Sequence, residues 1–213
     1  MDSSSTGAAI TSRSQAKAAR RADLLTAAAA QMAERGFAAV RLEDIGAQAG
    51  ISGPAMYRHF SSKTDVLDTL LLEISERLYE GGNEVCERQL PPYSMLVELI
   101  GFHIEVLVTK PDVIVVQDRD LSSLTPEANH RVRLLQRRYV ERWVDVVQDC
   151  VTHGLLPTMS RDEARIRVHA MFGLLNSSPR LPSTPADHLR PLLTAMALAA
   201  VGADAGQYDR PSG

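Results

Sequence analysis

The spacing of apolar residues constrains this chain more than any other feature. Leu24, Leu25, Ala28, Ala29, Met32 and Ala33 recur at three- and four-residue steps, and so do Val132, Leu135, Tyr139, Trp143, Val147 and Cys150. That step lines one side of an α-helix, whereas a half-buried strand alternates every second residue. Glycines and prolines cut the pattern into segments. Helices are expected over 20–35, ending at Gly36 as a left-handed stop, over 42–49, ending at Gly50, over 52–60, and over 62–79 before Gly81-Gly82. Pro91-Pro92 and Pro111 bracket another, with Leu96, Leu99, Ile100, His103, Val106 and Leu107 on one face. The run 113–116 has the composition of a strand, but its neighbours favour a short helix. Thr125-Pro126-Glu127 and Ser160-Arg161-Asp162-Glu163 read as helix starts, leading to helices ending near Gly154 and Asn176, and a last helix spans about 186–202. The expected fold is all-α.

With 213 residues, 45% hydrophobic and 23% charged, the chain has enough apolar surface for a real core. The longest apolar stretch, 192–201, is interrupted by Thr194 and falls short of the ~20 residues a membrane span needs. The Ser- and Ala-rich start carries no long hydrophobic block, so no secretory signal is expected. Two cysteines, Cys86 and Cys150, make neither a disulfide framework nor a zinc motif. The reading is a cytoplasmic globular protein, with no metal or cofactor expected.

The net charge of −3 hides a division. Residues 1–63 hold eight Lys/Arg against five Asp/Glu, a balance of +3, which leaves −6 for the remainder. A basic head on an acidic body fits a protein that holds nucleic acid at one end. Residues 1–19, small and polar with Arg13 and Lys17, are expected to form a flexible basic arm, 20–66 a DNA-binding domain, and 67–213 a ligand-binding and dimerisation domain.

The segment 42–60 carries the most informative pattern. Two short helices meet at Ala49-Gly50-Ile51, where Gly50 permits the positive φ of a tight turn. Ile45, Ala49, Ile51 and Met56 are spaced to pack the helices together. In a helix-turn-helix the second helix enters the major groove while the first braces it. Ser52 is a candidate cap for that second helix, with Pro54 in its first turn, and Tyr57, Arg58, His59 and Lys63 supply donors suited to phosphates. From spacing alone, a plain helical hairpin with Tyr57 and Phe60 buried fits equally well.

The stretch Gly36-Phe37, Leu42-Glu43-Asp44-Ile45-Gly46, Ala49-Gly50-Ile51-Ser52, Met56-Tyr57-Arg58-His59-Phe60, Lys63 and Leu67, in that order, resembles the N-terminal domain of TetR-family transcriptional regulators. The resemblance covers residues 20–70. It implies a homodimeric, helical, ligand-responsive regulator, usually a repressor, bound to a palindromic DNA operator. By position it places Ser52, Gly53, Pro54, Ala55 and Arg58 toward the major groove, and Tyr57, His59 and Lys63 on phosphates. Arg41 stands where the family usually has a Thr or Ser cap, so a cationic phosphate contact replaces that cap. Because Gly53, Pro54 and Ala55 are nearly donor-free, base readout leans on Arg58, thymine methyl contacts and DNA shape. The alternatives are half-buried packing for Tyr57 and His59 and a solvated helix-start charge for Lys63.

In the body, His103, Arg119, Tyr139, Trp143 and His169 are polar or amphipathic groups within apolar helices, and they are the candidate ligand contacts. Core packing is the competing reading for Tyr139 and Trp143, and a surface ion pair for Arg119. Two stripes with small residues, Ile166, Ala170, Gly173 and Leu174, then Leu189, Leu193, Met196 and Ala200, are the expected dimer contact, as in the resembling family. Twenty Arg against three Lys suggests a GC-rich genome such as an actinobacterium's. The segment 116–121 is similar to actinobacterial members associated with acyl-CoA catabolism, so the expected effector is a small apolar or acyl compound such as a fatty or branched acyl-CoA. No hydrolase, metalloprotease, P-loop or dinucleotide motif is present, and an enzyme is not expected.

Overall fold

The computed structural model describes residues 4–182 and 184–203, with the backbone alone over 4–14. Among the described residues it holds nine α-helices, three single turns of 3-10 helix and no strand. The helices are α1 (Ser4–Arg35), α2 (Leu42–Gln48), α3 (Gly53–Met56), α4 (Lys63–Cys86), α5 (Pro92–Thr109), α6 (Pro111–Asp120), α7 (Pro126–Thr152), α8 (Arg161–Asn176) and α9 (Ala186–Val201). They form two compact units: a head of residues up to 71 with 115–129, and a body of 72–114 with residues from 130 onward. Helices α4, α6 and α7 each run from one unit into the other.

Three elements differ from expectation. The arm over 1–19 is helical from Ser4, and only residues 1–3 of it lie outside the described residues. Residues 4–19 hold no proline to stop a helix, which extends outward from the packed part of α1 one bond per residue; with no apolar stripe there, periodicity could not show it. Helix α3 stops at Met56 and a turn carries the chain to Phe60, and Ser52 sits at its N-cap position without a side-chain cap bond. Helix α4 continues through Gly81-Gly82 to Cys86. Those glycines are required by packing: a Cβ on Gly82 would lie 2.5 Å from Tyr139 Cε2, and one on Gly81 would strike the Phe102 ring.

The head packs Leu24, Ala28, Met32, Val40, Ile45, Met56, Phe60 and Leu67 around α1, all fully or nearly fully buried. Gly36 closes α1 with φ 84° and ψ 147°, outside the left-handed helical region the sequence suggested but in a region nearly reserved for glycine. Gly50, with φ 71°, makes the expected tight turn, and Ile51 N–H donates to the Gly46 carbonyl at 2.9 Å. Asp44 accepts from the Arg41 N–H at 3.3 Å, which is half a capping box; an arginine side chain has no acceptor to complete it.

In the body, α5 is the central helix, with α8 and α9 against it. By length and composition α5, not 192–201, is the one described helix apolar enough to cross a membrane, with a mean hydropathy of 1.3. Its apolarity serves a core instead. Met95, Leu96, Leu99, Ile100, Ile104, Val106 and Leu107 are buried, while Glu98 and Glu105 reach the surface and pair with Arg88 and Arg190.

Candidate nucleic-acid interface and effector core

Helices α2 and α3 are too short to satisfy their own carbonyls, since the last four of any helix lack an internal donor. Backbone N–H groups of the following turns reach the Ile45, Gly46, Ala47, Ala55 and Met56 carbonyls, and long side chains from elsewhere in the head add further donors. Gln31 Nε2 donates to the Asp44 carbonyl at 2.9 Å, and Arg21 donates to the His59 carbonyl at 3.1 Å and to Thr69 Oγ1 at 3.2 Å. The Arg21 guanidinium also lies 4.3 Å from the centre of the Phe60 ring. Neither Arg21 nor Gln31 was marked by the sequence, because a donor aimed at a distant carbonyl leaves no periodic signal. Gln31 thus holds α2 against α1, and Arg21 holds the turn after α3 there.

With that frame in place, Arg41, Ser52, Pro54, Tyr57 and Arg58 are exposed, and Gly53, Ala55 and His59 are half-buried. Tyr57 is neither a core residue nor a free donor: it is 54% exposed, and its hydroxyl donates to Glu43 Oε1 at 2.9 Å. Glu43's own backbone and the Tyr57 hydroxyl hold the Glu43 carboxyl below its usual range, and the same carboxylate raises the Tyr57 phenol. Lys63 is placed differently from the expectation of a phosphate contact. Its ammonium donates to the carbonyls of Phe37 and Ala38 at 2.8 and 3.1 Å, and sits 4.5 Å from the centre of the Phe37 ring.

Of the five candidate ligand contacts, the structure brings three together. His103 of α5, Tyr139 and Trp143 of α7 and Phe172 of α8 form a ring cluster with centroid separations of 4.8–6.0 Å. His103 Nδ1 and the Tyr139 hydroxyl are 3.2 Å apart. Burial lowers the His103 ring to about 4 and raises the Tyr139 phenol, so both are neutral near pH 7. If the phenol O–H donates to Nδ1, the imidazole proton is on Nε2. Neither that group nor Trp143 Nε1–H makes a hydrogen bond. Asn176 lies near enough to the imidazole to act on its titration without reaching hydrogen-bond geometry. Trp143 likewise lies near enough to the Tyr139 hydroxyl to act on its titration, so two buried ring nitrogens sit beside polar neighbours without reaching hydrogen-bond geometry.

The other two candidates lie elsewhere. Arg119 belongs to the head: it donates to the carbonyls of Met32 and Ala33 at the end of α1 and pairs with Asp120 at 2.9 Å. It is a cap for α1, not a body contact. His169 is exposed on α8, beside Ile166, Ala170 and Gly173, so it faces away from the ring cluster. The expected dimer stripe is also corrected on α9. Leu193 is 1% exposed and belongs to the core, and Leu189 and Ala200 are half-buried, while Leu192, Ala195, Met196 and Ala199 face outward. The helix is apolar on two sides, and composition does not say which side meets its own core.

Comparison with known proteins supplies the family. Residues 24–70 match the family model for bacterial regulatory proteins of the tetR family, and residues 89–180 match a tetracyclin repressor-like C-terminal domain. The HTH-type transcriptional repressor KstR2 of Mycolicibacterium smegmatis is 29% identical over 140 residues, covering 64% of this chain and 67% of that protein. Among solved structures, the ketosteroid transcriptional regulator KstR2 of Mycobacterium tuberculosis is similar with a TM-score of 0.75 at 24% identity, covering 87% of this chain and 96% of that one. AibR, solved in complex with isovaleryl coenzyme A and operator DNA, shares the fold with a TM-score of 0.68 at 16% identity over 83% of this chain and 97% of that one. The helix-turn-helix at 42–60 and the helical body behind it thus have one explanation: this chain belongs to the TetR family of bacterial regulatory proteins, DNA-binding transcriptional regulators and not enzymes.

Proposed function

We propose that the protein is a cytoplasmic, ligand-responsive repressor that binds a palindromic operator as a homodimer and is released by a small apolar or acyl effector. Ser52, Gly53, Pro54, Ala55 and Arg58 face the major groove, while Arg41, Tyr57 and His59 supply phosphate contacts. Lys63 contributes by holding the turn at 37–39 and offers a phosphate only its remaining N–H. The outward face of α8 and α9, with Ile166, Ala170, Gly173, Leu192, Ala195 and Met196, meets its copy across a two-fold axis.

The observation that carries the ligand-responsive part is the buried aromatic cluster, in which His103 Nε2 and Trp143 Nε1 reach no partner in hydrogen-bond geometry. A buried donor without an acceptor costs about 1–3 kcal/mol. An effector that places a carbonyl or carboxylate oxygen there recovers that cost, and its chain replaces the packing of Phe172. An acyl thioester such as an acyl-CoA has this chemistry, which agrees with the coenzyme A thioester in the AibR complex. Helix α4 begins at Lys63 and runs on into the body, so a shift at the cluster has a continuous helix through which to act. A coupling of about 1–3 kcal/mol, or 5–150-fold in affinity, suffices for release.

The experiment begins with an operator recovered by selection from random duplexes. Acyl-CoAs and free acids are then titrated against the protein with and without that operator. By linkage, an effector must lose affinity on the complex by the same factor by which it weakens DNA binding. Equal affinity in both states removes a compound as an effector. Failure to select any duplex would overturn the operator reading.

A further inference from the structure

The solvent face of α7, on the other side of the helix from Tyr139 and Trp143, borders a groove of about 410 Å³. Tyr79, Arg137, Arg138, Glu141, Arg142 and Asp145 line it. Arg138 and Arg142 are one helical turn apart, a like-charge arrangement that destabilises a helix by itself. Glu141 sits three positions after Arg138 and Asp145 three after Arg142, where they could neutralise these arginines, but they are engaged elsewhere. Glu141 accepts from Arg161 at 2.8 Å and from Arg165 at 2.7 Å, and Asp145 pairs with Arg161 at 2.7 Å. Those two guanidinium groups hold the Glu141 carboxyl at about 2. Arg142 spends its Nε–H on Asn83 Oδ1 at 3.1 Å, which leaves its terminal N–H groups. Among the described residues, Arg137 and Arg138 have no ion-pair or hydrogen-bond partner. The acids of the groove are satisfied from α8, and its cations are left over.

We propose that this groove binds vicinal phosphates, the diphosphate of a nucleotide or of a nucleotide-linked effector, with Arg137, Arg138 and Arg142 on the phosphate oxygens and Tyr79 beside the nucleoside. A guanidinium presents paired N–H donors that match phosphate oxygens two at a time, which makes arginine the apt residue for such a group. The volume lies within the ~300–1,000 Å³ of small-molecule sites. A single inorganic phosphate would leave most of it empty, and an uncharged ligand would leave the guanidinium groups without a counter-charge. This inference goes beyond the effector reading and does not need the aromatic cluster to bind anything.

The test is calorimetric titration of the full chain at low salt with ADP, inorganic pyrophosphate, coenzyme A and adenosine. ADP and pyrophosphate should bind, and adenosine should not. The double variant Arg137→Gln/Arg138→Gln should lose at least tenfold in ADP affinity, with its melting temperature and operator affinity unchanged. Arg137→Lys/Arg138→Lys, which keeps charge without the fork, should fall between the two. Coenzyme A binding tighter than ADP assigns the diphosphate to a nucleotide-linked effector, and equal binding assigns it to a free nucleotide. The proposal is overturned if neither ADP nor pyrophosphate binds, if adenosine binds as well as ADP, or if the double variant binds ADP like the wild type. It is equally overturned if the double variant loses operator affinity in the same proportion, which would make the arginines part of the DNA surface. Operator binding by the wild type is measured separately, so either reading can fail alone.

Discussion

Head and body are held together by different means. In the body the helices are long, so most backbone groups are satisfied internally, and charged side chains are free to pair with one another. Glu141 with Arg161 and Arg165, Glu105 with Arg190, Glu76 with Arg131 and Glu163 with Arg167 are of this kind. Stability there comes from apolar burial around Trp143, Leu96, Leu99 and Ile100. In the head, α2 and α3 have seven and four residues and end in tight turns. Arg21, Gln31 and Lys63 aim their donors at carbonyls of the head's short elements and turns, and Arg119 aims its own at the end of α1. A compact DNA-reading unit made from very short helices needs cations twice, once for its own backbone and once for phosphates. A basic residue in such a head is for that reason not automatically a DNA contact.

The sharpest test of this contrast is on α9. Leu193→Glu places an unpaired carboxylate in the body core, at a cost of several kcal/mol, and should abolish the cooperative melt. Leu192→Glu, one residue away and 55% exposed, should leave each protomer folded but shift sedimentation toward the monomer. If both variants fold and both dissociate, the assignment of faces on α9 is wrong.

Acid should act on the body first. The His103 pKa is about 4 in the folded chain against 6.5 unexposed to burial, so the unfolded chain binds a proton that the folded one does not. The stability due to the neutral, buried ring is complete above pH 6.5 and declines as pH falls toward 4, by about 3 kcal/mol in all. Chemical denaturation between pH 7 and pH 4 should show this loss, and His103→Phe should remove most of it. An unchanged pH dependence in that variant would place the acid sensitivity elsewhere.

Smaller effects are expected in the head. Arg119→Ala removes two donors from the end of α1 and leaves the nearly buried Asp120 without its ion pair, costing about 1–3 kcal/mol. Amide exchange over 30–36 should quicken while the aromatic cluster keeps its protection. Uniform loss of protection in both units would argue against a local cap.

Lys63→Met should cost about 1 kcal/mol through the lost bonds to Phe37 and Ala38. The slope of operator affinity against salt should change by less than the ~0.9 unit expected for one lost phosphate contact. Arg58→Ala should relax preference at one base position per half-site by about 1–3 kcal/mol. A full unit of slope lost with Lys63 would mean that its ammonium leaves the carbonyls for a phosphate.

The all-helical class, the turn at Gly50 and the starts at Thr125 and Ser160 were legible in the sequence, because each rests on interactions within a few residues. Ala128 N–H does donate to Thr125 Oγ1, and Glu163 N–H to Ser160 Oγ. The order of residues across 36–67 was specific enough to indicate the family. What escaped was every choice between partners distant in sequence. An arginine such as Arg119 or a lysine such as Lys63 carries the same charge wherever it points, and only the packed chain directs it to a carbonyl. Gly81-Gly82 looks like a helix break until Phe102 and Tyr139 come within contact and demand the absence of a Cβ. Leu192 and Leu193 are chemically alike, and only the docking of α9 on α5 and α8 decides which is core and which is surface. Local periodicity and capping thus determined the elements, whereas the direction of each long side chain and each apolar face depended on neighbours that tertiary packing alone brings together.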